Sequence, residues 1–342
     1  MIEKLATDRR YGPYFRSIIV RSRDHNGIGT GLTWERDLSG ALVMTQQPVQ
    51  QWRNVLQGLN NCRSIGFYGG GHGRPQELLG SLMFGDAVTM TLTIAVELQR
   101  KLIDITIRDF TGVPGANWDS DDPELRSLSR TPLHLPGFAL VCSTLKSLTL
   151  GCRIGEPEDP AHFIIHLLSH AVCLEELSIN GHHGFGSPAV LMRLFVPESQ
   201  FRLKRLKLSC ALAADAEYLR IFLARHRRTL KSLSLMHLHV EEGGWLPTIR
   251  SLVDQFPVLE DVELGYLCEG EPWNRWYVEY PGIRTDDSAW KMLIDGLICC
   301  HRQPRAEDAA SRIQYVSYNG ARIDVALRKF AAIAVIGEPF DL

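Results

Sequence analysis

Five six-residue segments share one pattern of apolar and polar positions: 145–150, 174–179, 203–208, 230–235 and 259–264. Each opens with leucine, continues with two polar residues, and then alternates apolar, polar, apolar. The first leucines, Leu145, Leu174, Leu203, Leu230 and Leu259, lie 29, 29, 27 and 29 residues apart. Period-two alternation sends Leu148 and Leu150 to one face of a strand and Ser147 and Thr149 to the other. A fixed interval of this size predicts a stacked array, because each unit can bury its apolar face only against the next one.

Between these rungs the apolar period changes to that of a helix. Asp159-Pro160 opens a segment with Phe163, Ile164, Leu167 and Leu168 on one stripe, and Asp215 precedes Tyr218, Leu219, Phe222 and Leu223 as a candidate N-cap. Segments 188–195 and 247–255 supply further return helices, the second ended by Pro257. Weaker rungs at 15–20, 62–68 and 102–107 precede the regular block, their starts 47, 40 and 43 residues from the next rung. Helical stretches at 48–59 and 86–99 fall where their return helices belong. After Leu264 an aromatic-rich stretch (Trp273, Trp276, Tyr277, Tyr280) interrupts the period, followed by a helical segment around Trp290, Leu293, Ile294 and Leu297. Residues 313–318 read as a final strand and Asn319-Gly320 as a turn. The stretch 321–336 fits a returning strand or a capping helix, with Ile323, Leu327, Phe330 and Ala334 favouring helix. The organisation expected is one domain over 1–342: irregular repeats at 1–141, regular repeats at 142–265, an aromatic insertion at 266–286, and a C-terminal repeat and cap at 287–342.

These L-x-x-L-x-L rungs resemble the ribonuclease-inhibitor-like class of leucine-rich repeats. The resemblance implies an α/β solenoid, a horseshoe with a parallel sheet on its concave face and helices on its convex one. The opening residues 10–18 (Arg-Tyr-Gly-Pro-Tyr-Phe-Arg-Ser-Ile) and the irregular rungs after them also look like fungal F-box proteins just downstream of the F-box. In that family the F-box docks a ubiquitin ligase through a Skp-type adaptor, and the repeats select the substrate. No F-box is legible, because its helices do not fit ahead of Tyr14, so a Skp-type adaptor is not expected. The Asn or Cys usual three residues after a rung is replaced by Arg153, His182, Ala211, Leu238 and Leu267, so the turn ladder should be irregular.

The formal charge, 37 basic against 39 acidic side chains or −2, gives no global field for nucleic acid or an anionic membrane. No stretch is apolar for the roughly 18 residues of a membrane span, and the N-terminus lacks the apolar core of a secretory signal. The eight cysteines show no C-x-x-C spacing and suit free thiols in a reducing compartment, so an intracellular protein, cytoplasmic or nuclear, is expected. Neither sequence nor composition indicates an oligomeric state.

The outward rung positions are the candidate partner-binding residues: Asp104, Thr106, Arg108, Glu176, Ser178, Asn180, Arg205, Lys207, Asp261 and Glu263. Their alternating acidic and basic bands suit a polar protein surface or peptide. Trp273, Trp276, Tyr277 and Tyr280 are a candidate aromatic lip, or pack over the flank of the array. Arg225, His226, Arg227, Arg228 and Lys231 fall at a helix end, where cations offset the macrodipole. His162, His166 and His170 share a helical face, with His182 and His183 after the next strand. A metal-dependent or hydrolytic enzyme centred there is the rival to a non-catalytic recognition scaffold. The segment lacks the glutamate of H-E-x-x-H. The glycine-rich run at 69–73 lacks the Lys-Ser/Thr of a phosphate loop and reads as a flexible connection. No catalytic residue, cofactor or metal is expected.

Overall fold

The computed structural model describes residues 2–8, 10–21, 32–38, 40–69, 82–109, 131–151, 158–181, 200–271, 274–281, 284–286, 291–294, 297–300 and 313–337. The fold is α/β with mostly parallel strand pairing. The chain forms two compact units, Met1–Leu174 with Glu198–Phe201 and Glu175–Pro197 with Arg202–Leu342.

In the first unit the strands β1 (Ser17–Arg21), β2 (Ser64–Gly69), β3 (Asp104–Asp109) and β4 (Ser147–Gly151) pair in parallel in chain order. Ser17, Ser64, Asp104 and Ser147 stand side by side, so the register steps by 47, 40 and 43 residues, the intervals expected of the weak rungs. Parallel neighbours need a crossover, supplied by α2 (Gln47–Gly58), α3 (Phe84–Glu97) and α4 (Phe138–Cys142), while α5 (Glu158–His170) follows β4. Ile65, Phe67, Ile105, Ile107, Leu148 and Leu150 are buried on the helix side of the sheet.

Helix α3 is buried on nearly every face, which fits its long apolar composition. Its first turn is held by Asp86, which accepts the Met83 N–H at 3.2 Å and pairs with Arg36. The end of α2 is capped from the next repeat: the Arg100 guanidinium donates to the carbonyls of Leu56 (2.8 Å), Gln57 (2.9 Å) and Asn60 (3.2 Å), the orphan acceptors of a helix terminus. A short helix, α1 (Ile2–Thr7), packs against α2. This close seat requires glycine at Gly58, where a Cβ would stand 2.4 Å from the Ala6 carbonyl oxygen.

The second unit carries four of the regular rungs. Strands β5 (Glu176–Asn180), β6 (Arg205–Asp215), β7 (Ser232–Glu242) and β8 (Asp261–Gly265) pair in parallel with register steps of 29, 27 and 29 residues, again the sequence intervals. The return helices are α6 (Ala216–His226) and α7 (Trp245–Gln255). Asp215 is the N-cap expected, its carboxylate accepting the Glu217 N–H at 2.7 Å. Asp215→Ala is expected to lower stability by about 1 kcal/mol, measured as a shift in urea unfolding, and no shift would mean that the cap contributes nothing. The segment 188–195 lies outside the described residues.

Just past three of the rungs the backbone kinks. Cys210, His237 and Tyr266, equivalent positions two residues past the rung, have φ of 53°, 51° and 52°. Beyond the kink the chain runs on as strand: Ala211 pairs with Leu238, Ala213 with Val240, and His239 with Cys268 of β9 (Cys268–Glu271). Leu238 and Leu267 are buried.

The aromatic stretch is a hairpin. β9 pairs antiparallel with β10 (Asn274–Glu279), which pairs with β15 (Val335–Ile336). The expected helix around Trp290, Leu293, Ile294 and Leu297 is not found: β11 (Arg284–Asp286), β12 (Lys291–Ile294) and β13 (Leu297–Cys300) form a three-stranded antiparallel sheet, and Trp290 lies outside the described residues. In the sequence, Asp295-Gly296 is a strong two-residue hairpin signal, at odds with a helix through Leu293 and Leu297. The final strand β14 (Tyr315–Asn319) pairs with β8 antiparallel rather than adding a parallel rung. The tail then forms both alternatives in turn, α8 (Ile323–Ile333), packed on α7, and β15.

Candidate functional site

Each rung divides its side chains as period two requires. In the second unit Leu177, Leu206, Leu233 and Val262 form one buried row, and Ile179, Leu208, Leu235 and Leu264 another. The opposite face presents the rows Glu176, Arg205, Ser232, Asp261 and Ser178, Lys207, Ser234, Glu263, then Asn180, Ser209, Met236, Gly265. Arg205 and Lys207 are exposed, whereas Glu176, Ser178, Asn180, Asp261 and Glu263 are partly covered.

The charges on this face are knit together across the strands. Glu176 pairs with Arg205. Ser232 donates to Asp261 at 2.7 Å, and Glu263 accepts from both Ser234 and the Tyr315 hydroxyl, the latter at 2.9 Å. At the rim Glu175 meets Lys204 at 3.0 Å and Glu260 meets Lys231 at 2.7 Å. Exposed pairs of this kind contribute about 0–1 kcal/mol; their main effect is to hold the side chains in place. Lys207, between Ser178 and Ser234, has no ion pair among the described residues. At the kink, the rings of His237 and Tyr266 stack with centroids 4.5 Å apart and planes 6° from parallel.

In the first unit the outward rows are Ser17, Ser64, Asp104, Ser147; Ile19, Gly66, Thr106, Thr149; and Arg21, Tyr68, Arg108, Gly151. Ser64 donates to Asp104 at 2.6 Å, the same serine-to-acid device as in the second unit. Arg108 is exposed and Thr106 partly so. Arg21, Ser64 and Tyr68 are not among the sequence candidates: alternation within 62–68 is a signal for Ser64 and Tyr68, whereas Arg21 lies one residue past the rung at 15–20.

Of the four candidate lip aromatics, Tyr280 takes the packed alternative. Tyr280 is fully buried, its ring edge-on to Phe330 of α8 with centroids 6.2 Å apart, and burial pushes its phenol pKa up. It packs under the C-terminal cap. Trp276 is exposed and Tyr277 partly so on β10, while Trp273 lies outside the described residues. The helix-end cations are also split: Arg227 and Arg228 are exposed just past α6, but His226 is buried. Its Nδ1 accepts the Leu203 N–H at 3.3 Å, and its ring is edge-on to Phe222.

The histidines of α5 pack as aromatics. His166 and His170 meet edge to face with centroids 4.8 Å apart, and Phe138 stacks on His166 at 5.7 Å. The His166 pKa is lowered, first by burial and then by His170 beside it. The side chain of His162 and residues His182 and His183 lie outside the described residues. Among the described residues no three His, Cys, Asp or Glu side chains group to hold a metal, and no helix is long and apolar enough to cross a membrane.

No family model matches the chain, and no curated protein resembles it closely enough to count as a match.

Proposed function

We propose that this chain is a leucine-rich-repeat-type recognition scaffold that binds a protein partner through the outward faces of its strands and carries out no catalysis. The observation that carries the reading is the separation of tasks along each strand. Aliphatic rows hold the fold while the residues between them make a polar, partly fixed and chemically varied face. Serine hydroxyls aimed at Asp104, Asp261 and Glu263 set those carboxylates before a partner arrives, which lowers the ordering cost of binding. The likeness to F-box proteins extends the proposal to the substrate-selecting part of a ubiquitin-ligase receptor or a relative of it. The free thiols of Cys62, Cys142, Cys173, Cys210 and Cys268 fit a reducing cytoplasm or nucleus.

Photo-crosslinking tests this. A photoreactive residue at Thr106 or Ser178 should capture defined partners in cells, whereas one at the exposed helix positions Gln57 or Arg250 should not. Lys207→Glu should abolish or redirect capture at Ser178 while stability stays within about 0.5 kcal/mol, as for other exposed sites. Equal capture from helix and strand positions, or none from the strands, would overturn the proposal.

A further inference from the structure

The row nearest the C-terminal ends of β1 to β4 reads Arg21, Tyr68, Arg108, Gly151. Arg21 lies over the Tyr68 ring, its guanidinium carbon 5.5 Å from the centroid. Tyr68 folds back over Gly66, where a Cβ would stand 2.9 Å from the ring and 3.7 Å from Ile19 Cγ1, and Ile19 is itself 52% exposed. Arg108 leans across Gly151, where a Cβ would lie 3.2 Å from its Cγ. The two glycines thus let one aromatic and one cationic side chain lie along the sheet. The Arg108 side chain is exposed and has no ion pair or hydrogen bond among the described residues. The one carboxylate among the described outward positions of this unit, Asp104, is two rows away and engaged by Ser64. Four residues of strand are about 13 Å, beyond the Debye length of roughly 8 Å in physiological salt, so Asp104 does not neutralise the row.

From this charge pattern we infer that the first unit's outward face binds an acidic peptide segment in the polyproline II conformation, with carboxylates at positions i and i+3. Arg21 and Arg108 stand two strand spacings apart, about 10 Å. A polyproline II chain repeats its facing side chains every third residue, about 9.3 Å along the axis, so two acids at that spacing meet the two guanidinium groups together. The Tyr68 ring supports the Arg21 guanidinium, and exposed Ile19 beside it adds the apolar surface on which such segments dock. Two cations flanked by an exposed isoleucine, in a chain of net charge −2, fit a short acidic peptide better than a nucleic acid, which needs a broader basic surface. The inference rests on the recognition reading above and names the partner's chemistry for one face.

Fluorescence anisotropy on the full chain tests it with three labelled peptides: one containing Glu-Pro-Pro-Glu, one with both acids changed to Gln, and one with the two acids adjacent. The first should bind, and the other two at least tenfold more weakly. Arg21→Gln and Arg108→Gln should each weaken binding about tenfold, and Tyr68→Leu should weaken it too, with thermal unfolding unchanged. Lys207→Gln, in the second unit, should have no effect. Binding that ignores the Gln substitutions, survives both arginine changes, or is absent at millimolar peptide overturns the inference, as does displacement of the peptide by single-stranded RNA at lower concentration. Should peptide binding fail while Ser178 still captures partners, the inference falls and the recognition reading stands. Specific peptide binding without any strand-face capture would reverse that outcome.

Discussion

Truncating Leu206 to alanine should destabilise the protein by about 2–5 kcal/mol, the range for a buried leucine that leaves a cavity. The side chain is 2% exposed and stands in register between Leu177 and Leu233, themselves 4% and 1% exposed. Both neighbours belong to strands paired with β6, so they cannot close the gap without shifting a ladder of hydrogen bonds. The neighbouring outward residue gives the contrast: Lys207→Ala, one position along the same strand, should stay within about 0.5 kcal/mol of the parent. Equilibrium urea unfolding separates the two. Amide exchange should quicken first in β5, β6 and β7, because stability in a stacked array is local to a unit and its neighbours. A Leu206→Ala protein that unfolds at the parent's midpoint would mean that this row does not form the core.

The contrast between Leu206 and Lys207 is also what made the strands legible. A strand with one dry face must alternate, and a unit that stacks must repeat that alternation at the length of one unit; so the positions of β4 to β8 and the register steps between β5 and β8 follow from leucines counted along the chain. The same reasoning reached β1 to β3 through intervals of 47, 40 and 43 residues, because inserted residues lengthen the return path without changing which residues pair. What did not follow is equally specific. Cys210, His237 and Tyr266 adopt positive φ with no glycine or asparagine to mark the kink. Strand pairing resumes directly after them, Ala211 with Leu238 and His239 with Cys268. Asp295-Gly296 did carry a turn signal, and the aliphatic spacing around it also fitted a helix. Tyr280 could be read as surface or core, since a large aromatic is compatible with both until α8 is placed above it.

The candidate face was legible as a set of positions and illegible as a set of interactions. Alternation alone assigned Glu176, Arg205, Asp261 and Glu263 to one surface. The pairings Glu176 with Arg205, Ser232 with Asp261 and Tyr315 with Glu263 depend on register between residues 29 or 52 apart in sequence. Tyr315 reaches Glu263 only because β14 runs antiparallel on β8, a reversal that no repeat interval announces. The charge bands therefore act less as free bands than as a partly satisfied network. Among the described residues, Lys207 in one unit and Arg108 in the other are exposed cations of this face without an ion pair.

Acidification provides the second large effect, through His226. Burial, followed by the nearby charges of Arg202 and Arg225, holds its pKa down from 6.5 to about 4. A histidine at the end of a helix would ordinarily gain from the macrodipole when charged, by less than 1 kcal/mol at an exposed site; here desolvation wins. The Leu203 N–H donates to Nδ1, a bond that survives only while that nitrogen carries no proton. Above pH 6.5 the group is neutral in both folded and unfolded chains and has no linkage to folding. Below it the unfolded chain takes up the proton and the folded one does not, so stability falls with pH, by about 3 kcal/mol in all, until the folded pKa near 4 is reached. His166 and His239 are shifted in the same direction by burial and add to the slope, which is why the comparison must be with His226→Asn. That variant keeps an acceptor close to Nδ1 and cannot titrate. Unfolding free energies measured from pH 7 to 5, above most carboxylate titration, should fall more steeply for the parent than for His226→Asn. Parallel curves would show that His226 is protonated as readily in the folded protein as in the unfolded chain.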